Sequence, residues 1–97
     1  MDVELVHLDD CPLWRGAAER VREAMRRAGV DPASLRDRSI AVQDAPADFP
    51  GSPTILIDGL DPFPSATPVG PVCRRYPTEL GPDVAPSMEQ LVDVLTR

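Results

Sequence analysis

The clearest strand signal in the chain lies in residues 51–59, GSPTILIDG. Three consecutive apolar residues, 55–57, favour a buried strand, and the Asp-Gly pair after them is typical of a tight hairpin turn. A proline at the start of such a strand is unusual, because it removes a donor from the hydrogen-bond ladder. A cis peptide bond before Pro53 would account for it, whereas the trans form is the commoner state of such bonds.

Two strong elements are predicted on the N-terminal side of this strand. Residues 3–8, VELVHL, are mostly apolar and indicate a strand in the middle of a sheet. Across residues 12–28, apolar side chains recur at helical spacing and charged side chains fill most of the opposite face. Pro12 fits the first position of this helix, and Gly29 fits the turn that ends it.

The remaining elements differ in strength. Residues 39–43 indicate a second strand, with alternating apolar side chains on one face. Residues 60–85 are rich in proline and are predicted to be irregular, with residues 72–76 as the one plausible strand among them. Residues 87–95 indicate a final helix that opens on a Ser-x-x-Gln capping box.

Together these elements predict an α/β fold in a single domain, residues 1–97. Strand, helix and strand in succession imply a parallel pair joined by a right-handed crossover, and the Asp-Gly hairpin at residues 58–59 adds an antiparallel strand. With the weak strand of residues 72–76, the expected architecture is a sandwich in which helices flank a small mixed four-stranded sheet.

Composition narrows the class of protein. The 97 residues carry 16 acidic and 10 basic side chains, a net charge of -6, which argues against a nucleic-acid partner. No apolar run approaches the roughly 18 residues of a membrane helix, and the N-terminus lacks a signal-peptide pattern. We therefore expect a cytoplasmic protein with no membrane partner, in which a structural disulfide would be unusual. Two cysteines and one histidine are too few for a four-ligand zinc site.

Cys11 follows the first predicted strand and directly precedes the longest predicted helix. Unpaired N–H groups at a helix N-terminus stabilise a thiolate, which is the nucleophilic form of cysteine. The neighbouring carboxylates of Asp9 and Asp10 act in the opposite direction. A small buried side chain that only packs in the core is the alternative. The residues alone leave both interpretations open.

Considered together, these motifs resemble the thioredoxin/glutaredoxin superfamily, and most closely its small prokaryotic glutaredoxin-like thioredoxins. The shared features are a strand, a Cys-Pro-x-x helix start at residues 11–14, a Ser-Pro-Thr strand ending in Asp-Gly, and Pro-Ser-x-Glu at residues 86–89. The resemblance implies a thioredoxin-like fold with Pro53 as a cis-proline beside the active cysteine. It also implies that the Ser52 backbone, next to Pro53 and Thr54, binds a peptide or thiol substrate by strand addition.

The chain departs from this family at its active motif. Cys-x-x-Cys is replaced by Cys11-Pro12-Leu13-Trp14, so that no second cysteine is available within the motif. In one interpretation Cys11 works alone and forms a mixed disulfide with a small thiol such as glutathione. In a second, Cys73 is the resolving partner, which requires Cα atoms within about 4.4–6.8 Å. In a third, redox activity is lost and the fold is a non-catalytic binding module.

Other side chains have two interpretations each. Trp14 is either a core aromatic or a residue that shields Cys11 and stacks on a ligand, and we expect His7 to be a hydrogen-bonded core histidine. Arg74 and its neighbour Arg75 are predicted to be solvated on an edge strand, with binding of an anionic partner as the alternative.

Mercury chemistry is the last function considered. Two thiolates suit a soft, linear metal ion, and small thioredoxin-like chains are sometimes grouped with alkylmercury lyases. Cleavage of a carbon–mercury bond would need Cys11, Cys73 and an acid such as Asp10 to converge. The chain is much shorter than those enzymes, and this hypothesis ranks last.

Overall fold

Two α-helices and three strands are present in the part of the chain that the structure describes. The computed structural model describes residues 1–63 and 72–97. Its strands and helices, in chain order, are β1 (Val3–Leu8), α1 (Trp14–Ala28), β2 (Arg36–Ile40), β3 (Thr54–Ile57) and α2 (Met88–Leu95). Short 3-10 helices lie at Pro32–Ser34 and Val42–Asp44. None of the described helices has the length and apolar character needed to cross a membrane.

The three strands form one mixed sheet in the order β2-β1-β3. β1 pairs in parallel with β2 and antiparallel with β3, which confirms a small mixed α/β fold. The predicted four-stranded sheet is not confirmed. Within the described part of residues 72–76, an isolated parallel bridge joins Cys73 to Ser52, and Tyr76 pairs with Asp83 instead. The prediction of irregular structure over residues 60–85 lies partly outside the described residues, at 64–71.

The main core lies between the sheet and the two helices. β1 contributes Val3 and Leu5, which are fully buried, and Ile55 of β3 packs beside them. α1 contributes alanine, valine and methionine side chains to this core, and α2 adds leucine and valine side chains. These helix residues are Ala18, Val21, Ala24, Met25, Leu91, Val94 and Leu95. β1 is therefore the central strand, as its apolar sequence predicts.

The second strand does not lie where its apolar residues suggest. Residues 39–43 were expected to form it, but β2 spans Arg36–Ile40, and Val42–Asp44 turns into a 3-10 helix. β2 is an edge strand whose first four residues are exposed, and its arginines face Glu4 of β1. Charged side chains are common on edge strands, and here cross-strand pairing with β1 sets the position of the strand.

The ends of the other elements agree more closely with the sequence. The turn after β3 has positive φ angles of 52° at Asp58 and 81° at Gly59, and Ile57 and Leu60 exchange two backbone hydrogen bonds across it. α2 begins with the predicted capping box between Ser87 and Gln90. α1 ends at Gly29, which adopts the left-handed conformation.

Candidate functional site

Cys11 lies on the wall of an open cleft at one end of the sheet. The cleft has a volume of about 360 Å³, and its lining residues are Asp9, Asp10, Cys11, Pro12, Trp14 and Arg15. Cys11 is only 8% exposed, and it packs in a small apolar cluster with Val6, Leu8 and Phe49. Its backbone N–H donates to the Leu8 carbonyl at 3.1 Å, which fixes the turn between β1 and α1. The thiol is thus buried at the edge of a space that a small molecule could enter.

The first helix begins later than its sequence suggests. Pro12 was expected at the first helical position, but α1 starts at Trp14, with Leu13 as its N-cap residue. Leu13 makes no capping hydrogen bond with its side chain, and the first turn contains no acidic residue. Cys11 therefore precedes the N-cap by two residues, in the turn that leads into α1, and it does not lie within the first turn itself.

Trp14 connects the cleft to a buried histidine. The indole ring stacks on the His7 imidazole with centroids 4.0 Å apart and planes 4° from parallel. The Arg15 guanidinium lies 5.3 Å from the indole centroid, and both side chains line the cleft. Trp14 is half-buried and packs against both apolar clusters, so it is a core aromatic and a wall of the cleft at once.

His7 is buried, and one of its ring nitrogens is hydrogen-bonded to the backbone. Nδ1 lies 3.0 Å from the Leu8 carbonyl oxygen, which can only accept, so Nδ1 carries a proton and donates it to that oxygen. Nε2 has no hydrogen-bond partner among residues 1–63 and 72–97. The expectation of a hydrogen-bonded core histidine is thus met at one ring nitrogen. The Leu8 carbonyl also accepts from Cys11, which places the imidazole and the Cys11 backbone around one oxygen atom.

The turn before β3 lies against the end of β1. The Ser52–Pro53 peptide bond is cis, one of the two predicted alternatives. Ser52 is buried, and its Oγ accepts a hydrogen bond of 2.9 Å from the Leu8 N–H. Thr54 Oγ1 donates to the Gly51 carbonyl at 2.5 Å. The side chains of this turn therefore hold the turn itself together and tie it to the strand that leads to Cys11.

The Ser52 backbone, which the family resemblance assigns to a substrate, is already paired within the chain. Its N–H donates to the Val72 carbonyl at 2.9 Å, and its carbonyl accepts from the Arg74 N–H at 2.9 Å. These two bonds form the parallel bridge to Cys73. The segment of residues 72–74 thus occupies the position beside Ser52 that a fourth strand or an extended peptide would take.

Both cysteines are free thiols, and they lie at the same end of the sheet. Cys11 is buried and Cys73 is exposed. Cys73 lies opposite Ser52, Ser52 Oγ binds the Leu8 N–H, and the Leu8 carbonyl binds the Cys11 N–H. The β-bridge and these hydrogen bonds therefore connect the two cysteines through only two intervening residues, Ser52 and Leu8, although the cysteines are far apart in the sequence.

Arg74 is the main residue that the sequence prediction placed wrongly. Its side chain is 1% exposed and makes a bidentate salt bridge with Asp61, at 2.6 and 3.3 Å. It also donates to the Phe63 carbonyl and lies 4.4 Å from the Tyr76 ring centroid, while its Nε has no partner in the described part of the chain. The anion that it binds is therefore the chain's own carboxylate. Arg75 is exposed, in agreement with the prediction.

Two residues that the sequence did not single out complete this cluster. The Tyr76 hydroxyl donates to the Pro53 carbonyl at 2.6 Å, and burial raises the Tyr76 pKa well above its usual range, against the opposing effect of Arg74. At Gly51, φ is +104°, and an added Cβ would lie 2.9 Å from the Arg74 Cβ. A glycine directly before Ser-Pro-Thr was the one local signal of such a close approach.

The described residues offer little support for metal chemistry. No three side chains among the histidine, cysteine, aspartate and glutamate residues of 1–63 and 72–97 are grouped as ligands for a metal ion. Asp10 lines the cleft with Cys11, but Cys73 is not among the residues of that cleft. The group of two thiols and an acid that the organomercurial hypothesis needs is therefore not seen in this part of the chain.

Comparison of the chain with protein-family models, with curated proteins and with solved structures returns no match. Assignment of a function therefore depends on the motifs of the sequence and on the geometry around Cys11, Ser52 and Cys73.

Proposed function

We propose that this protein is a thioredoxin-like thiol–disulfide oxidoreductase in which Cys11 is the nucleophile and Cys73 is the resolving cysteine. The observation that carries the proposal is the bridge between Cys73 and Ser52, whose side chain binds the end of the strand leading to Cys11. The strand order β2-β1-β3, with α1 between the two parallel strands, supports a thioredoxin-like arrangement. A cysteine supplied by the segment beside Ser52 would replace the one that Trp14 removes from the active motif.

The proposed reaction needs no metal and no bound cofactor. The Cys11 thiolate attacks one sulfur of a small disulfide, the other half leaves as a thiol after taking up a proton, and a mixed disulfide forms. The Cys73 thiolate then attacks the Cys11 sulfur, which releases the second thiol and leaves a Cys11–Cys73 disulfide. Two equivalents of a small thiol such as glutathione reduce that disulfide, form their own disulfide and restore the starting state.

The cleft favours small substrates for the first step. Cys11 is almost buried, and the space beside it is a cleft of about 360 Å³ with acidic, basic and aromatic side chains in its walls. A disulfide of a few heavy atoms fits such a space, because ligand pockets for small molecules have volumes of this order, about 300–1,000 Å³. Cys73 is exposed and lies on the segment that borders the Ser52 turn.

Oxidation of single-cysteine variants tests the proposal. We expect one equivalent of hydroxyethyl disulfide to remove both free thiols from the wild-type monomer, with an intramolecular disulfide detected by intact-mass and peptide analysis. Cys73→Ser should stop at one 2-mercaptoethanol adduct on Cys11, and Cys11→Ser should lose catalysis of hydroxyethyl disulfide reduction. Recovery of two unreacted thiols, or a product that contains only intermolecular dimers, would contradict it.

A non-catalytic binding module is the second candidate, and two observations favour it. Cys11 is 8% exposed, and both Ser52 backbone groups are paired within the chain. Both features are expected of a domain that has lost its catalytic activity. Under this alternative the wild-type protein and Cys11→Ser should be equally inactive toward hydroxyethyl disulfide. A rate that depends on Cys11 excludes the alternative.

A further inference from the structure

We propose that residues 72–74 are a built-in strand that closes the Ser52 edge to extended peptides, and that Arg74 is the specificity-determining residue that holds it there. The site would then accept small disulfides and exclude peptide disulfides. This inference names the substrate class of the proposed oxidoreductase, and its catalytic readout rests on that proposed function. Its binding readout does not.

The closure follows first from the backbone. An extended peptide joins a sheet by pairing with unpaired N–H and C=O groups on an edge. At Ser52 both groups already make hydrogen bonds of 2.9 Å, one to Val72 and one to Arg74. A peptide therefore cannot pair there unless residues 72–74 leave, and a hydrogen bond to a buried group is costly to leave unmade.

Of the three side chains in residues 72–74, the Arg74 side chain is the one that holds the segment in place. Val72 and Cys73 are exposed, whereas the Arg74 guanidinium is buried against Asp61, the Phe63 carbonyl and the Tyr76 ring. Hydrogen bonds between charged groups in bidentate geometry are among the strongest that a side chain makes. Release of the segment would separate this buried ion pair, so Arg74 determines whether the edge stays closed.

Gly51 gives independent evidence that the closure is part of the fold. Its Cα faces the Arg74 backbone so closely that a Cβ would lie 2.9 Å from the Arg74 Cβ and 3.3 Å from its Cα. A side chain at position 51 would therefore require the Arg74 backbone to shift, and its φ of +104° is one that residues other than glycine rarely adopt. The turn before β3 is thus shaped to receive Arg74, and both partners of the contact are specified by the sequence.

Small disulfides reach Cys11 by a different route. The cleft beside Cys11 is lined by residues 9–12 and by Trp14 and Arg15, and it includes no residue of the 72–74 segment. A small disulfide can therefore enter without displacing that segment. A peptide disulfide, whose flanking backbone needs an edge to pair with, cannot. A small disulfide thus needs only the cleft beside Cys11, whereas a peptide disulfide also needs the Ser52 edge.

The central experiment combines Arg74→Leu with Asp61→Asn, so that no buried carboxylate is left without its partner. The matched control is Arg75→Leu, which removes the same side chain from the next, exposed position. Two substrates are compared: hydroxyethyl disulfide, and a blocked hexapeptide of alternating valine and threonine with one central cysteine, as its mixed disulfide with 2-mercaptoethanol. The measured quantity is the ratio of kcat/KM for the peptide to kcat/KM for the small disulfide.

We expect this ratio to rise by about tenfold or more in the double variant and to stay at the wild-type value in Arg75→Leu. Amide hydrogen exchange at Arg74 should be slow in the wild type and fast at position 74 of the double variant. An unchanged ratio with a folded double variant, or a wild-type protein that prefers the peptide, would overturn the proposal. If the double variant does not fold, Arg74→Lys, which keeps the charge but loses the bidentate pairing, should raise the ratio, and an unchanged ratio there counts equally against it.

The binding readout separates this proposal from the proposed function. The same hexapeptide with serine in place of cysteine is titrated into isotope-labelled protein, and the Ser52 amide signal is followed. We expect it to shift in the double variant and not in the wild type or in Arg75→Leu. If no disulfide is reduced by any of the proteins, the oxidoreductase proposal fails, and this titration alone decides the closure: binding to the wild type, or to none of the variants, overturns it.

Discussion

Tyr76, which lies outside the sheet, holds the buried turn before β3 through a hydrogen bond. Its hydroxyl donates to the Pro53 carbonyl at 2.6 Å, and its ring packs edge-on against Phe63 while the Arg74 guanidinium lies over its face. Burial raises the Tyr76 pKa above the ordinary value of 10.0, and the positive charge of Arg74 opposes this rise. The folded protein therefore holds the Tyr76 proton more tightly than the unfolded chain does.

This difference predicts a loss of stability in alkali. Because the pKa of Tyr76 is higher in the folded state, its contribution is fully present below pH 10 and is lost as the pH rises above that value. Urea unfolding between neutral pH and alkaline pH measures the slope. Tyr76→Phe removes the hydroxyl, so we expect about 1 kcal/mol lower stability at neutral pH and a shallower alkaline slope. An alkaline slope equal to that of the wild type would contradict the assignment.

The two thiols differ in the size of reagent that can reach them. Cys73 is exposed, and Cys11 is 8% exposed beside a cleft of about 360 Å³. We expect a maleimide carrying a long polymer to modify Cys73 alone, whereas iodoacetamide modifies both. Mass analysis of the wild type and of Cys73→Ser measures this, and Cys11→Ser serves as the matched control. Labelling of Cys11 by the polymer reagent at the rate of Cys73 would contradict the burial of Cys11.

At the scale of a single element, the capping box at the start of α2 is a local sequence signal that the structure confirms. The Ser87 hydroxyl accepts from the Gln90 N–H, and the Gln90 side chain accepts from the Ser87 N–H. We expect Ser87→Ala to lower the free energy of unfolding by about 0.5–2 kcal/mol, the usual value of an N-cap. Ser39→Ala, at an exposed position of β2, is the control and should change stability by less. Equal effects of the two substitutions in urea unfolding would show that the cap contributes little.

The predictability of each element follows from where its stabilising contacts lie. β1 matched its apolar sequence, the Asp-Gly turn matched its dipeptide, and α2 matched its capping box, because these signals are local. β2 was misplaced by three residues, since its register depends on pairing with β1 and on ion pairs between its arginines and Glu4. Such contacts join positions more than thirty residues apart, and no local pattern reveals them.

At the scale of the whole molecule, two leucines of opposite exposure test the core. Leu91 of α2 is 1% exposed in the main core, whereas Leu80 is 99% exposed. We expect Leu91→Ala to cost about 2–5 kcal/mol, because it removes buried apolar surface and leaves a cavity. Leu80→Ala should be nearly neutral in the same urea-unfolding measurement. Similar costs for the two would mean that α2 does not pack as described.

The candidate site could be predicted only in part, and the reason lies in tertiary contacts. Cys11 and the turn at Pro53 were found because each carries a local motif. The burial of Arg74 was missed, since its partner Asp61 lies thirteen positions earlier and neither residue belongs to a recognisable pattern. The pairing of Cys73 with Ser52 was likewise invisible in a proline-rich stretch that has no strand period.

The two edges of the sheet affect whether the protein aggregates. β2 presents Arg36 and Arg38 to solvent, and their charges make this edge a poor template for the strand of a neighbouring molecule. At the opposite edge, residues 72–74 pair with Ser52 in the turn before β3. A variant that releases this segment leaves the Ser52 N–H and carbonyl groups unpaired, so that the protein concentration decides how the variant behaves. We expect such a protein to remain folded when dilute and to aggregate strand against strand when crowded.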